Sequence, residues 1–323
     1  MEKVLITGGS GFIGRYFVDR LKHAEVIIFD LREPDYTSHA QYINGDVRDI
    51  KLVKLAAQNC TLIIHLAAMH HDFGIEDSAY FETNVVGATN LVQVAQQLNI
   101  RKFINFSSVA VYGNKGNPGP TDETTEPEPT NAYGKSKLEA EKILRAWAAT
   151  ETQNRLIQVR STVVFGPSNL ANVLNLIKAI DQGLYFHIAE GSNIKSLAYV
   201  ENIADATLFG LEKTQTGELL FNYVDYPQMS SREIADMQAA FLNKKIKITL
   251  PLWLAVSLAR PFDWAIKITG RNLKISSARV KKLCTQTFHN ADKIRQIGFK
   301  PRHEMKDGMQ RMIRWYLNTV KKN

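Results

Sequence analysis

At 323 residues, with 45% hydrophobic and 22% charged side chains, the sequence describes a globular chain long enough for one large core and a smaller lobe. Its two cysteines, Cys60 and Cys284, exclude a disulfide framework and show no metal-ligand spacing, so no metal is expected; with the first strand starting at residue 3, a cytoplasmic address is the expectation. The formal net charge of +8 comes without a nucleic-acid recognition motif, which leaves nucleic acid outside the expected partners.

The chain opens on a short apolar run, Val4-Leu5-Ile6-Thr7, followed by Gly8-Gly9-Ser10-Gly11-Phe12-Ile13-Gly14 and a helical pattern with Phe17, Val18 and Leu21 inward. Strand, glycine turn and helix form the context that a dinucleotide fingerprint requires. Gly8 would allow the tight turn, Gly11 the approach of backbone to pyrophosphate, and Gly14 close helix–strand packing, while Phe12 and Ile13 begin the helix whose N-terminus faces the phosphates. The next apolar run, Val26-Ile27-Ile28-Phe29, ends in Asp30, a carboxylate that can accept from both ribose hydroxyls and would repel a 2′-phosphate. That favours NAD over NADP, with Arg32 as the competing phosphate contact. Further β-like runs at Gln41-Tyr42-Ile43, Leu62 to Leu66, Lys102 to Phe106, Leu156 to Arg160 and near Phe221 alternate with helical patterns and predict a doubly wound parallel sheet of the Rossmann class.

Asn114 to Pro129 reads as an exposed loop. It leads into Tyr133-Gly134-Lys135-Ser136-Lys137, where a phenol and an ammonium four residues apart share a helical face. The cation favours the phenolate, which equips Tyr133 to exchange a proton with a sugar or alcohol hydroxyl. Beyond Gly166-Pro167 the pattern changes, and Asn169 to Ile180 reads as a helix with Val173, Leu174, Ile177 and Ile180 inward. The expected division is a dinucleotide-binding domain over 1–165, with later segments near 195–225 interleaved, and a substrate lobe with basic C-terminal helices over most of 166–323.

These motifs, with Gly45-Asp46-Val47, His65-Leu66-Ala67-Ala68, Asn84-Val85-Val86-Gly87 and Ser107-Ser108-Val109-Ala110-Val111-Tyr112-Gly113 in order between them, resemble the extended short-chain dehydrogenase/reductase family, the NAD-dependent epimerase/dehydratase group acting largely on nucleotide sugars. The resemblance covers about 1–205 firmly and the remainder loosely. It implies that Asp46 and Val47 contact adenine, that Ala67 and Ala68 line the nicotinamide side, and that Ser108 joins Tyr133 and Lys137 as the catalytic set. Lys137 would also touch the nicotinamide ribose, and Asn84, His70 and His71 would lie toward substrate. Lys195 stands where the family often carries an Arg that clamps the substrate pyrophosphate, and it offers a point charge in place of a fork. Val163 replaces an Asn found in many sugar epimerases, a departure that weakens transfer of galactose-type contacts. Ser108 is followed by Val109 and Ala110 and not by the Asp-Glu pair of the 4,6-dehydratases, so dehydration is not expected.

The expected activity is therefore NAD-dependent oxidation, reduction or epimerisation at C4 of a nucleoside-diphosphate sugar of the surface-polysaccharide type. A 3-hydroxysteroid-type or other lipid alcohol dehydrogenase is the second reading, and a non-catalytic NAD-binding regulator the third. Charge is uneven: residues 243–323 hold 19 Lys/Arg against 4 Asp/Glu, net +15, leaving −7 for 1–242. Within that basic part, the apolar stretch over 250–269, cut by Arg260, Pro261, Asp263 and Lys267, reads either as a core helix pair or as an interfacial helix giving peripheral membrane contact. A second copy of the chain, as a homodimer, completes the expected partners.

Overall fold

Seven of the apolar runs become parallel strands of one sheet in the computed structural model, which describes residues 2–70, 75–113, 119–269 and 276–322. They are β1 (Lys3–Thr7), β2 (Glu25–Asp30), β3 (Gln41–Asn44), β4 (Leu62–His65), β5 (Lys102–Ser108), β6 (Arg155–Ser161) and an edge strand, Gly217–Tyr223. The edge strand pairs with β6, and the order runs on through β5, β4, β1 and β2 to β3. The chain leaves β1 for β2 on one side and returns to β4 on the other, so the order reverses at the β1/β4 pair. Such a reversal is where doubly wound sheets bind ligands. Thr7 and His65, at the carboxyl ends of these two strands, share a hydrogen bond of 2.8 Å.

Crossover helices cover the sheet. Helix α1 (Phe12–Arg20) follows β1, α2 (Ile50–Ala56) follows β3, and α3 (Asp77–Phe81) runs through a π-helical turn over Glu82–Val86 into α4 (Gly87–Gln97). The long α5 (Ala132–Thr150) precedes β6. Asn131 caps it, accepting from the Gly134 N–H at 2.8 Å. Strand β1 is apolar because both its faces are covered, and Leu5, Ile27, Phe29, Ile63, Leu91, Phe103, Leu144, Trp147 and Leu156 pack into one buried cluster. Each large side chain so removed from water is worth about 1.5–3 kcal/mol.

Two units divide the chain: one holds residues 1–162, 200–224 and 289–302, the other 163–199, 225–288 and 303–323. The return of 289–302 to the first unit differs from the expected boundary. Short backbone and side-chain links carry it: the Asn222 amide donates to the Asn290 carbonyl at 3.1 Å, and Thr121 pairs with His289. Part of the expected exposed loop, residues 119–129, is thereby anchored, with Glu123 accepting from the Asn222 N–H at 2.6 Å; residues 114–118 lie outside the described residues.

In the second unit the helix Asn172–Asp181 buries Val173, Leu174, Ile177 and Ile180. It starts later than its apolar pattern suggests, because the Asn169 side chain accepts from the Ala171 N–H and donates to the Val164 carbonyl, holding 169–171 in a turn. A capping box at Ser230 and Glu233 opens the helix Ser231–Phe241. The helix Met305–Trp315 contributes Met309, Met312 and Ile313 to the core of this unit. The apolar stretch over 250–269 forms a helix, Leu252–Thr269, that buries only Ala255 and Ala259 among its described residues. No described helix is long and apolar enough to cross a membrane.

Candidate active site

The glycine turn has the geometry a dinucleotide needs. Gly8 sits at φ +71°, and a Cβ there would lie 2.5 Å from the Ala67 nitrogen, so only glycine permits this close pass between the two strand ends. A Cβ on Gly14 would lie 2.2 Å from the Gly9 carbonyl oxygen, which makes Gly14 the residue that folds the helix back onto its own turn. Gly11 meets only the Gly8 carbonyl, at 3.1 Å, and caps α1 with no side chain of its own. Phe12 and Ile13 are the first residues of that helix. The Asp30 carboxylate accepts from the Ser10 N–H at 3.1 Å and the Arg32 N–H at 3.3 Å, which fixes it at the edge of the turn, while the Arg32 side chain is exposed.

These features fit a dinucleotide. The Ser10 hydroxyl oxygen is buried with no hydrogen-bond partner among the described residues, in the loop that leads directly into the N-terminus of α1. A pyrophosphate supplies an acceptor for such a group, and Asp30 supplies acceptors for ribose. Farther along, Arg48 grips Asp46 through its backbone N–H, Nε and Nη2, at 2.9, 2.9 and 2.6 Å, and holds that carboxyl below the usual range, with burial opposing. Val47 is buried, and Asn90 donates to the carbonyls of Val47 and Arg48 at 3.0 and 2.9 Å. The Asp46-Val47 turn is thus rigid.

The segment after β4 is set by Asn84. Its carbonyl oxygen accepts from the Met69 N–H at 2.8 Å, and its NH₂ donates to the Met69 carbonyl at 3.1 Å and to the Ser136 hydroxyl at 2.9 Å. Ser136 in turn donates to the Tyr133 carbonyl at 2.8 Å. Asn84 lies in the π-helical turn, where the widened winding turns its amide inward, and it is 1% exposed. Both of its N–H bonds and one lone pair of its carbonyl oxygen are thus used within the chain. Asn84 thereby clamps the segment after β4 to the first turn of α5. Ala67 and Ala68 are half-buried, and His70, exposed, bonds through Nδ1 to the Ala68 carbonyl at 3.1 Å. His71 lies outside the described residues.

Ser108 ends β5, is half-buried, and caps a 3₁₀ turn over Val109–Tyr112 by accepting from the Ala110 N–H at 3.2 Å. That bond leaves the hydroxyl proton to donate outward. Ser107 points the other way and is buried. Gly134 lets α5 close on this turn, since a Cβ there would lie 2.5 Å from the Ala110 carbonyl oxygen. Tyr133 is half-buried, its ring centroid 6.2 Å from that of Tyr80. Lys137, one turn on, is 3% exposed, and burial brings its pKa down to about 8 against the opposing pull of Glu141. His65 is fully enclosed, and burial, with the nearby Lys137 charge adding to it, depresses its pKa to about 3, so the imidazole is neutral.

Sequence reasoning passed over Ser136, Gly134 and Glu141, whose roles depend on partners far along the chain. Glu141 is buried beneath Lys137 and pairs with Arg160. Within the second unit, the ammonium of Lys195 donates to the carbonyls of Lys282, at 3.3 Å, and Thr285. These are carbonyls at the C-terminal end of the helix Ser277–Cys284, whose dipole favours a cation, and burial brings Lys195 down to about 8. Two of the three ammonium N–H bonds of Lys195 are therefore directed at the end of that helix. No group of three or more His, Cys, Asp or Glu suited to a metal occurs among the described residues.

The description NAD dependent epimerase/dehydratase family belongs to a family model that matches residues 4–222. The chain belongs to that family. It is 35% identical, over 100% of its length and 97% of the relative, to the N-acetyl-α-D-glucosaminyl-diphospho-ditrans,octacis-undecaprenol 4-epimerase of Escherichia coli O157:H7. Similarity to the decarboxylating sterol-4-α-carboxylate 3-dehydrogenase of Candida albicans is lower, 27% over 98% of this chain and 97% of that one. Among solved structures, the NAD complex of the UDP-glucose 4-epimerase of Thermus thermophilus superposes with a TM-score of 0.77 over 98% of this chain and 100% of the other, at 21% identity, a likeness of fold. The protein is an NAD-dependent epimerase/dehydratase-family enzyme with a Rossmann-type sheet, and the sterol-type and non-catalytic readings are not favoured.

Proposed function

We propose that the protein is an NAD-dependent 4-epimerase of a hexose or N-acetylhexosamine carried on a diphosphate. The observation that supports it above the alternatives is the 35% identity, along the whole chain, with a 4-epimerase whose sugar is carried in that way. The end of β5 agrees, because Val109 and Ala110 supply no acid or base for eliminating water.

Gly8, Gly11, Gly14, Phe12, Ile13 and Ser10 would hold the pyrophosphate, Asp30 the adenosine ribose, Asp46 and Val47 the adenine, and Ala67, Ala68 and Lys137 the nicotinamide ribose side. NAD held there would supply the hydride acceptor and donor for C4 of the sugar. Tyr133 takes the O4 proton as the carbonyl forms and returns it to O4 once the ketosugar has turned its other face to the hydride. Such a positioned acid/base contributes about 10²–10⁴ in rate. Lys137 keeps positive charge beside the phenol, and Ser108 donates to the reacting oxygen, where charge grows in the transition state. Asn84 and Lys195 are assigned no substrate contact. The nucleoside-diphosphate carrier expected from sequence and a lipid carrier share the diphosphate, and only the group beyond it differs.

The test is to incubate the full chain and NAD with UDP-N-acetylglucosamine and, separately, with N-acetylglucosamine on a short, water-soluble polyprenyl diphosphate. The expected result is an equilibrium mixture of C4 epimers by proton NMR, with no solvent deuterium at C4, because the hydride returns to the carbon it left. Absence of the galacto epimer with both carriers, or net accumulation of a reduced or dehydrated sugar, overturns the reading.

A further inference from the structure

The helix Leu252–Thr269 presents its apolar side outward. Ala255 and Ala259, 4% and 2% exposed, face in, while Trp253, Leu258, Trp264 and Ile268 are 70%, 57%, 72% and 74% exposed. Trp253 and Trp264 are eleven positions apart, which places them within about 20° of each other around the helix, and Ile268 follows Trp264 by one turn. Arg260 and Lys267 border the same strip, both exposed. The neighbouring helix Ser277–Cys284 buries none of its described residues and adds exposed Lys281, Lys282 and Leu283. The two helices are tied by the Ser277 N–H donating to the Asp263 carboxylate at 2.9 Å. Together they carry Arg260, Lys267, Arg279, Lys281 and Lys282 against Asp263 as their one acid, and that acid is committed to the tie.

A large exposed apolar strip is costly in water unless something covers it. Burial against a second copy of the chain would bring two patches of the same positive sign together, Arg260, Lys267, Lys281 and Lys282 on each, which like-charge repulsion opposes. A bilayer crossing is excluded for this helix by its length, its internal Pro261 and its charges. Tryptophans beside Lys and Arg match the boundary between headgroups and acyl chains, where the ring enters and the cation meets phosphate. We infer that this face rests on an anionic phospholipid surface, and that the enzyme thereby meets a sugar diphosphate carried on a lipid anchored in the same surface. The second clause rests on the epimerase reading and the first does not. Apolar insertion and basic attraction are two signals, which is the number stable surface anchoring requires.

The experiment uses the full chain with vesicles of phosphatidylcholine containing about a quarter phosphatidylglycerol, the anionic fraction providing the surface charge. Expected are co-sedimentation with these vesicles, loss of most of the binding in high salt or on pure phosphatidylcholine, and a blue shift of tryptophan fluorescence on the vesicles. Trp253→Ser with Trp264→Ser should abolish the shift, and Lys281→Glu with Lys282→Glu should weaken vesicle binding by roughly tenfold or more. Unchanged thermal melts and unchanged turnover of the water-soluble sugar diphosphate would show that both variants fold. Sedimentation no greater than that of a soluble control overturns the inference. So does a dimer that the tryptophan substitutions convert to monomer without any vesicle binding. Vesicle binding with no epimerisation of either carrier leaves the surface standing and sinks the epimerase reading alone.

Discussion

The Glu141 carboxylate and the Arg160 guanidinium meet side by side, at 3.0 and 2.7 Å, and both are closed off from water, at 0% and 3% side-chain exposure. Arg160 also donates to the Tyr112 hydroxyl at 3.0 Å, and Tyr112 passes the chain on to Asn222 at 2.8 Å. Burial works against the charge, but Glu141 and Tyr112 more than offset it and hold Arg160 above its ordinary pKa. Glu141→Gln would leave a buried cation without its counter-charge, so the loss should be about 3–5 kcal/mol. Replacing both partners, Glu141→Leu with Arg160→Met, should cost clearly less. Denaturant melts of the two variants give the comparison, and equal losses would mean that the unpaired cation carries no penalty of its own.

Tyr133→Phe keeps the ring and removes the proton carrier. NAD affinity and melting temperature should stay near those of the parent while kcat falls about 10²–10⁴-fold. Ser108→Ala should cost less, because it loses one hydrogen bond and no titrating group. Near-normal turnover of Tyr133→Phe on the sugar diphosphate would remove it from the mechanism.

Asp30→Ala should weaken NAD by roughly 1–3 kcal/mol through the loss of charge-assisted hydrogen bonds and should narrow the gap between NAD and NADP. Calorimetric titration with both dinucleotides reads the two effects at once. A parent that prefers NADP would transfer the role to Arg32.

Lys137 should be a residue that trades stability for activity. Its folded pKa of about 8 lies below the ordinary lysine value, so the unfolded chain holds the proton more tightly and stability rises as pH climbs through that interval. At neutral pH the buried cation is a cost to the fold. Lys137→Met should raise the melting temperature of the NAD-free protein at pH 7, and the gain should shrink toward pH 10. The same variant should lose turnover, move the pH–rate profile upward and bind NAD less tightly. A Lys137→Met protein that melts lower at pH 7 would place compensating bonds on the ammonium.

His65 should set part of the acid limit. Its folded pKa of about 3 is depressed from the ordinary histidine value of 6.5, so its contribution is fully present above that value and is lost as pH falls toward the folded one. His65→Asn, which keeps a partner for Thr7, should flatten the fall in melting temperature over that window. Identical acid limbs in parent and variant would assign the acid sensitivity elsewhere.

What was legible in the sequence is what neighbours in the chain decide. The strand at Val4, the turn at Gly8 and the Tyr133/Lys137 spacing are local patterns, and the structure carries each of them. The family resemblance places Asn84 toward substrate, and its partners in the fold, Met69 and Ser136, lie 15 and 52 positions away. Asn84 lies in a π-helical turn, and no residue type in Glu82–Val86 announces that winding. Lys195 is expected at the substrate pyrophosphate by resemblance, and the carbonyls it serves, some 90 positions later, become its partners only in the fold. The outward face of Leu252–Thr269 has the same origin. Its apolar content suits a core, and only the tertiary placement of Ala255 and Ala259 decides which side is covered.

The interleaving of the two units has a consequence for how the protein is made. The chain passes between them five times, and the first unit is complete only when residue 302 has been laid down. Until Gly217–Tyr223 arrives, β6 is an open edge of the sheet, with its backbone donors and acceptors unpaired. At the usual pace of about 5–20 residues per second, the last pieces of the first unit follow residue 162 by some seconds. A nascent chain therefore holds every residue placed at the dinucleotide, Gly8 to Lys137, before the sheet that carries them is closed. Cutting after residue 162 should likewise leave that edge open and yield an insoluble fragment, even though it keeps every residue placed at the dinucleotide.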